Sequence, residues 1–79
     1  MDNQAVQALL AQHFEGADIV VAGDGYHYQL RIVSDSFKAL SVVKRQQAVY
    51  RVLNPYIVSG ELHALTLKTY TVEEWQNAN

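Results

Sequence analysis

The chain has 79 residues, 49% of them hydrophobic, no cysteine and a formal net charge of −2. That length holds one domain, residues 1–79, near the lower limit of what folds without staples, and the missing cysteine excludes disulfides and thiolate zinc sites. No apolar run approaches a membrane span, and the polar start Met1-Asp2-Asn3-Gln4 lacks the cationic opening of a secretory signal, so a cytoplasmic protein without a membrane anchor is expected.

Residues 3–14 place Val6, Leu9, Leu10, His13 and Phe14 at the i, i+3, i+4, i+7, i+8 spacing of one buried helical stripe. Asp2 or Asn3 can cap its start and Gly16 is a left-handed stop, while His13 reads as a packing residue at the stripe's boundary. Strand-like runs at 19–22 and 26–33 flank Gly23-Asp24-Gly25. Asp-Gly there predicts a hairpin whose two turn positions both take positive φ. In the second run Tyr26, Tyr28, Leu30 and Ile32 alternate with His27, Gln29 and Arg31, so helices should cover the first set and His27 should lie on the open face.

Asp35 or Ser36 can cap a short turn holding Phe37 and Leu40. A longer helix is expected from Ser41, with Val42, Val49, Leu53 and Tyr56 inward and Lys44, Arg45, Gln47 and Arg51 on the outer and flanking surfaces. Pro55 should end or kink it around residues 53–54. Gly60 closes the segment, and residues 61–69 predict a third strand with His63, Leu65 and Leu67 on one face and Ala64, Thr66 and Lys68 on the other. Thr71-Val72-Glu73-Glu74 reads as a capping box, with Tyr70 and Trp75 at the positions of a hydrophobic staple. The order implies an α+β domain: a three-stranded mixed sheet, its second and third strands parallel through a right-handed helical crossover, with helices on one face.

Several chemistries are excluded by what is missing. The four glycines, at 16, 23, 25 and 60, build neither a dinucleotide fingerprint nor a P-loop, and no G-x-x-G exists for KH-type RNA clamping. Ser34, Ser36 and Ser41 are explained as turn and cap residues, and Asp24 beside His27 as a hairpin pair, so no enzyme is expected. Between residues 36 and 60 there is no acid, while Lys38, Lys44, Arg45 and Arg51 fall there. That basic element can be a solvated helix face, a surface for an acidic protein or a nucleic-acid contact. His13, His27 and His63 have no chelating spacing, so no closed metal site follows. A shared site remains open, because iron–sulfur iron accepts imidazole in place of thiolate. On residue pattern His63 is either such a ligand or a satisfied core histidine.

Five segments in order carry a family pattern: Asp24-Gly25-Tyr26-His27-Tyr28; Ile32-Val33-Ser34-Asp35-Ser36-Phe37; Val43-Lys44-Arg45 leading to Val49-Tyr50; Leu62-His63-Ala64-Leu65; and Thr69-Tyr70-Thr71 through Trp75. On these the chain resembles the BolA family over essentially its whole length, and its G-D-G-x-H turn and K-R-Q-Q helix look most like the IbaG-like bacterial branch. Two motifs depart from the pattern: the family's F-x-G reads Phe37-Lys38-Ala39, and its R-H-R reads Arg45-Gln46-Gln47. The resemblance implies a BolA-like, class II KH-like α-β-β-α-α-β-α fold and a non-enzymatic adaptor for monothiol glutaredoxins of the C-G-F-S type, acting in iron–sulfur trafficking or in iron or stress sensing. It further implies a [2Fe–2S] cluster shared with the glutaredoxin and glutathione, none being expected in the isolated chain. The family's ligand falls on His63, and a second ligand from the loop between the first two strands falls on His27. Both must present a neutral nitrogen, so cluster binding should weaken as the histidines protonate, at about pH 6. The alternative is a DNA-binding, transcription-associated regulator that uses the helix over residues 41–53 with Lys38, Lys44, Arg45 and Arg51. The change to Gln46-Gln47 and the negative net charge count against it, and a homodimer is left open.

Overall fold

The structure, a computed structural model, describes residues 1–78. Helix α1 (Asn3–His13) starts at Asp2, whose carboxylate accepts the Ala5 N–H at 2.8 Å. Val6 and Leu10 are fully buried, with Leu9 and Phe14 half-buried beside them. The stripe stops there: His13 is exposed, its Nδ1 3.1 Å from the Leu9 carbonyl in its own helix. Gly16, at φ +78°, then turns the chain into strand β1 (Asp18–Gly23).

β1 pairs antiparallel with β2 (His27–Val33), setting Ile19 against Ile32 and Val21 against Leu30. The connection differs from the expected two-residue turn. Gly25 has positive φ and Asp24 does not, and Gly23 pairs with Tyr28 across a longer loop. Asp24 instead folds its carboxylate over the loop and accepts the N–H groups of Tyr26 and His27, each at 2.9 Å. This side-chain turn replaces the left-handed Asp conformation that the sequence suggested. It also leaves Tyr26 outside the strand and 66% exposed, not in the core with Tyr28.

Ser34, rather than Asp35 or Ser36, caps a 3₁₀ turn (Asp35–Phe37) that drives Phe37 into the core. Ser41 caps helix α2 (Val42–Val58) by accepting the Lys44 N–H. Its buried stripe is Arg45, Val49 and Leu53, and Val42 is exposed, contrary to the expected facing. The helix also runs through Pro55 to Val58. Arg51 and Pro55 lie on the exposed side, where water can serve the carbonyl that proline leaves unbonded, while Leu53, Tyr56 and Ile57 hold the last turn on the core.

Strand β3 (Ala64–Tyr70) lies parallel to β2 in a β1-β2-β3 sheet, with Tyr28 beside Leu65 and Leu30 beside Leu67. Tyr28, Leu30, Ile32 and Leu67 face Val6, Leu10, Val49 and Leu53 in one core cluster. Each fully buried aliphatic side chain there contributes about 1.5–3 kcal/mol. The other sheet face exposes Val20, Ala22, His27, Gln29, Thr66 and Lys68. Helix α3 (Val72–Ala78) begins with the capping box intact: Glu74 N–H donates to Thr71 Oγ1 at 3.1 Å and Thr71 N–H to Glu74 Oε1 at 2.9 Å. The Tyr70 and Trp75 rings pack 5.1 Å apart as the staple. Among the described residues no helix is long and apolar enough to cross a membrane.

Candidate functional site

His63 stands between two anchored neighbours. Leu62 is buried and donates its N–H to the Tyr56 carbonyl, while Ala64 donates to the Tyr26 carbonyl and opens β3. His63 therefore precedes the strand instead of lying inside it, and its side chain is exposed instead of core-facing. The ring stacks on Tyr26 at 4.9 Å and 18°. Neither ring nitrogen has a hydrogen-bond partner among the described residues, so the imidazole is oriented by the stack while its nitrogens remain available.

His27 opens β2 and is exposed on the open face, as its place in the alternation required. Its backbone partner across the parallel pair is Ala64, the residue after His63. Paired strands lie about 4.8 Å apart, so the two histidines are close along the backbone. Successive strand residues alternate faces, however, and the ring that meets His63 is that of Tyr26, not His27. The N–H groups of His27 and Tyr26 hold the Asp24 carboxyl below the ordinary carboxylate range. They also fix the loop from which His27 departs.

Sequence reasoning missed the roles of two tyrosines here. Tyr26 supports His63, and buried Tyr28 sends its hydroxyl to the Met1 and Gly25 carbonyls. The Met1 ammonium in turn lies 3.4 Å from the Glu61 carbonyl, so the first residue links the Tyr28 hydroxyl of β2 to the loop that precedes His63. The signal available in sequence was the aromatic on either side of His27.

The basic surface needs one correction. Arg45 is 6% exposed. Its Nε donates to the Phe37 and Leu40 carbonyls at 3.1 and 2.9 Å, and its guanidinium grips Glu74 at 2.5 and 3.2 Å. The Arg45 side chain, then the Thr71 N–H, hold the Glu74 carboxyl below its ordinary range. Arg45 thus fastens α3 and the turn before α2, and is withdrawn from any nucleic-acid or partner surface. Lys44 and Arg51 are exposed as expected, and Lys38 sits 3.8 Å from Asp35 in an exposed pair of little energetic weight.

Among the described residues no three histidine, cysteine, aspartate or glutamate side chains gather to hold a metal. An accessible, oriented imidazole without such companions fits a group that contributes a ligand, not one that encloses a metal. The arrangement defines an α+β module with a mixed sheet, helices on one side, and a histidine presented just before its edge strand β3.

Residues 5–74 match the BolA-like protein family, and the chain belongs to that family. It is 43% identical over 76 residues to an uncharacterised protein of Haemophilus influenzae, covering 96% of this chain and 89% of the other. It is 39% identical over 75 residues to the acid stress protein IbaG of Escherichia coli, covering 95% and 89%, consistent with the IbaG-like branch. The structure of a BolA homologue from Coxiella burnetii superposes with a TM-score of 0.81 at 25% identity, covering 96% and 97%.

Proposed function

We propose that this chain is an adaptor that docks on a C-G-F-S monothiol glutaredoxin and contributes His63 to a [2Fe–2S] cluster shared with that partner and glutathione. The observation that carries the reading is the His63 imidazole: exposed, stacked on Tyr26 and with both ring nitrogens unengaged among the described residues. A core histidine would be buried and bonded, since buried polar groups are nearly always partnered. When bound, the cluster would supply electron-transfer or iron-delivery chemistry. This chain's part is to orient one imidazole, through Tyr26 and the anchored Leu62 and Ala64, and to present it to the partner. His27 is the candidate second ligand on its exposure and neighbouring backbone position, although its register with Ala64 directs it to the open face. The acid-stress name of the Escherichia coli relative is in keeping with a histidine contact weakened by protonation, and extends the proposal to stress sensing.

DNA binding through α2 is less favoured, because Arg45 is occupied inside the fold and the remaining cations are Lys38, Lys44 and Arg51. A visible circular dichroism titration into cluster-loaded glutaredoxin with glutathione tests the adaptor. The wild type should give a new spectrum saturating near equimolar addition, and His63→Ala should alter or abolish it. Identical, unchanged spectra for both proteins would sink the reading.

A further inference from the structure

The sheet face away from the helices carries a shallow pocket of about 340 Å³, lined by Val20, Ala22, Gln29, Arg31, Thr66 and Lys68 among others. That volume falls at the lower end of the range for small-molecule sites. Its chemistry is divided. Val20, 43% exposed, and Ala22 give an apolar wall on β1, while β2 and β3 bring polar groups together in register. Gln29 lies beside Thr66, and Arg31 lies directly beside Lys68.

Two cations side by side in a ladder repel one another, so this pairing needs a compensating charge. Asp18 supplies part of it, 3.1 Å from the Arg31 guanidinium. Arg31 is further held by the Trp75 ring, 4.2 Å below its guanidinium carbon, which fixes the group in place without neutralising it. Lys68 is exposed and has no ion-pair partner among the described residues. The pocket therefore combines a fixed guanidinium, an unpaired ammonium, an amide and a hydroxyl with an apolar wall.

We propose that this face binds a small organic acid, with its carboxylate between Lys68 and Arg31, near Gln29 and Thr66, and its apolar stem against Val20 and Ala22. The site involves neither His63 nor the basic side of α2. Charge complementarity selects an anion, the apolar wall selects a stem over a bare ion, and the volume selects a small molecule over a macromolecule.

The test uses octanoate as the probe with the full-length protein, followed by amide and side-chain NMR shifts and by Trp75 emission. Saturable shifts should appear at Val20, Gln29, Arg31, Thr66 and Lys68, and Trp75 emission should change with them. Lys68→Gln should weaken binding roughly tenfold, the loss of one charge-assisted contact. Octanol and octylammonium should fail to saturate the same residues. Equal binding of octanol, shifts confined to other faces, or a Lys68→Gln variant that binds as the wild type does would overturn the site. So would shifts on this face that follow protein concentration without any probe, because a second copy of the chain would then be its occupant. Unchanged unfolding of the Lys68→Gln variant by urea separates loss of the contact from loss of the fold.

Discussion

Replacing Gly23 with alanine tests how tightly the loop that presents His27 is built. Gly23 does not have positive φ, so alanine suits its backbone, but an added methyl carbon would lie 2.5 Å from the His27 carbonyl oxygen and 3.0 Å from the Tyr28 Cα. Ordinary contact begins near 3.4 Å, so the two backbones must part by most of an ångström. Overpacking of this kind costs about 1–3 kcal/mol. Parting also stretches the Asp24 N–H bond to the His27 carbonyl, already 3.3 Å long, whose loss costs about 1 kcal/mol more. A total of about 3 kcal/mol is a large share of the roughly 4–12 kcal/mol expected for a domain this size, and should lower Tm by roughly 15 °C. Urea unfolding followed by far-ultraviolet circular dichroism measures the loss, and the His27 amide resonance reports whether the loop moved. Gly25→Ala is the internal comparison: nothing lies within 4 Å of its added carbon, but φ is +91°, so about 1 kcal/mol from backbone conformation alone is expected. A Gly23→Ala variant that loses less than Gly25→Ala, with the His27 amide unshifted, would refute the steric argument.

Three further outcomes follow from the packing and the charges. Arg45→Met should cost about 3 kcal/mol in urea unfolding, because two carbonyls lose their donor and α3 loses its tie, and Trp75 emission should shift with it. Leu10→Ala, at a fully buried position, should cost about 3 kcal/mol without altering the loop that carries His63. Asp24 and Glu74 titrate below their ordinary values of 3.8 and 4.5 when folded, so the unfolded chain binds the protons more readily. Their contribution is present above those values and disappears as pH falls through the folded ones. The urea midpoint should therefore fall in acid, below about pH 4, and a combined Asp24→Asn, Glu74→Gln variant should show a shallower acid limb than the wild type.

Much of the architecture was legible because its determinants are local. The α1 stripe, the Ser41 cap and the Thr71–Glu74 capping box each depend on residues within two turns of one another. Arg45 was not legible. Its spacing to Val49 and Leu53 marks an inward position, but a lone arginine reads as solvated until Glu74, far along the chain, is brought against it. The continuation of α2 through Pro55 was hidden for a similar reason, since packing of the last turn overrides the local penalty. His63 was singled out by residue type and motif, yet its setting was misread. The Leu62 N–H turns back to Tyr56, so the ladder begins one residue after His63, and the stack with Tyr26 then forms between two strand ends that no local pattern joins.

Neighbouring residues of α3 hold arginines that belong to opposite sides of the sheet: Glu74 takes Arg45 from the helical side, and Trp75 lies against Arg31 from the open side. One short helix thus straddles the edge of the domain like a clasp. Its fraying is not a local loss, because a single opening event would part Glu74 from Arg45 and Trp75 from Arg31, one contact on each side. The amides of α3 should then exchange with solvent as one unit, and the opened state would loosen side chains on both faces of the sheet without breaking a strand.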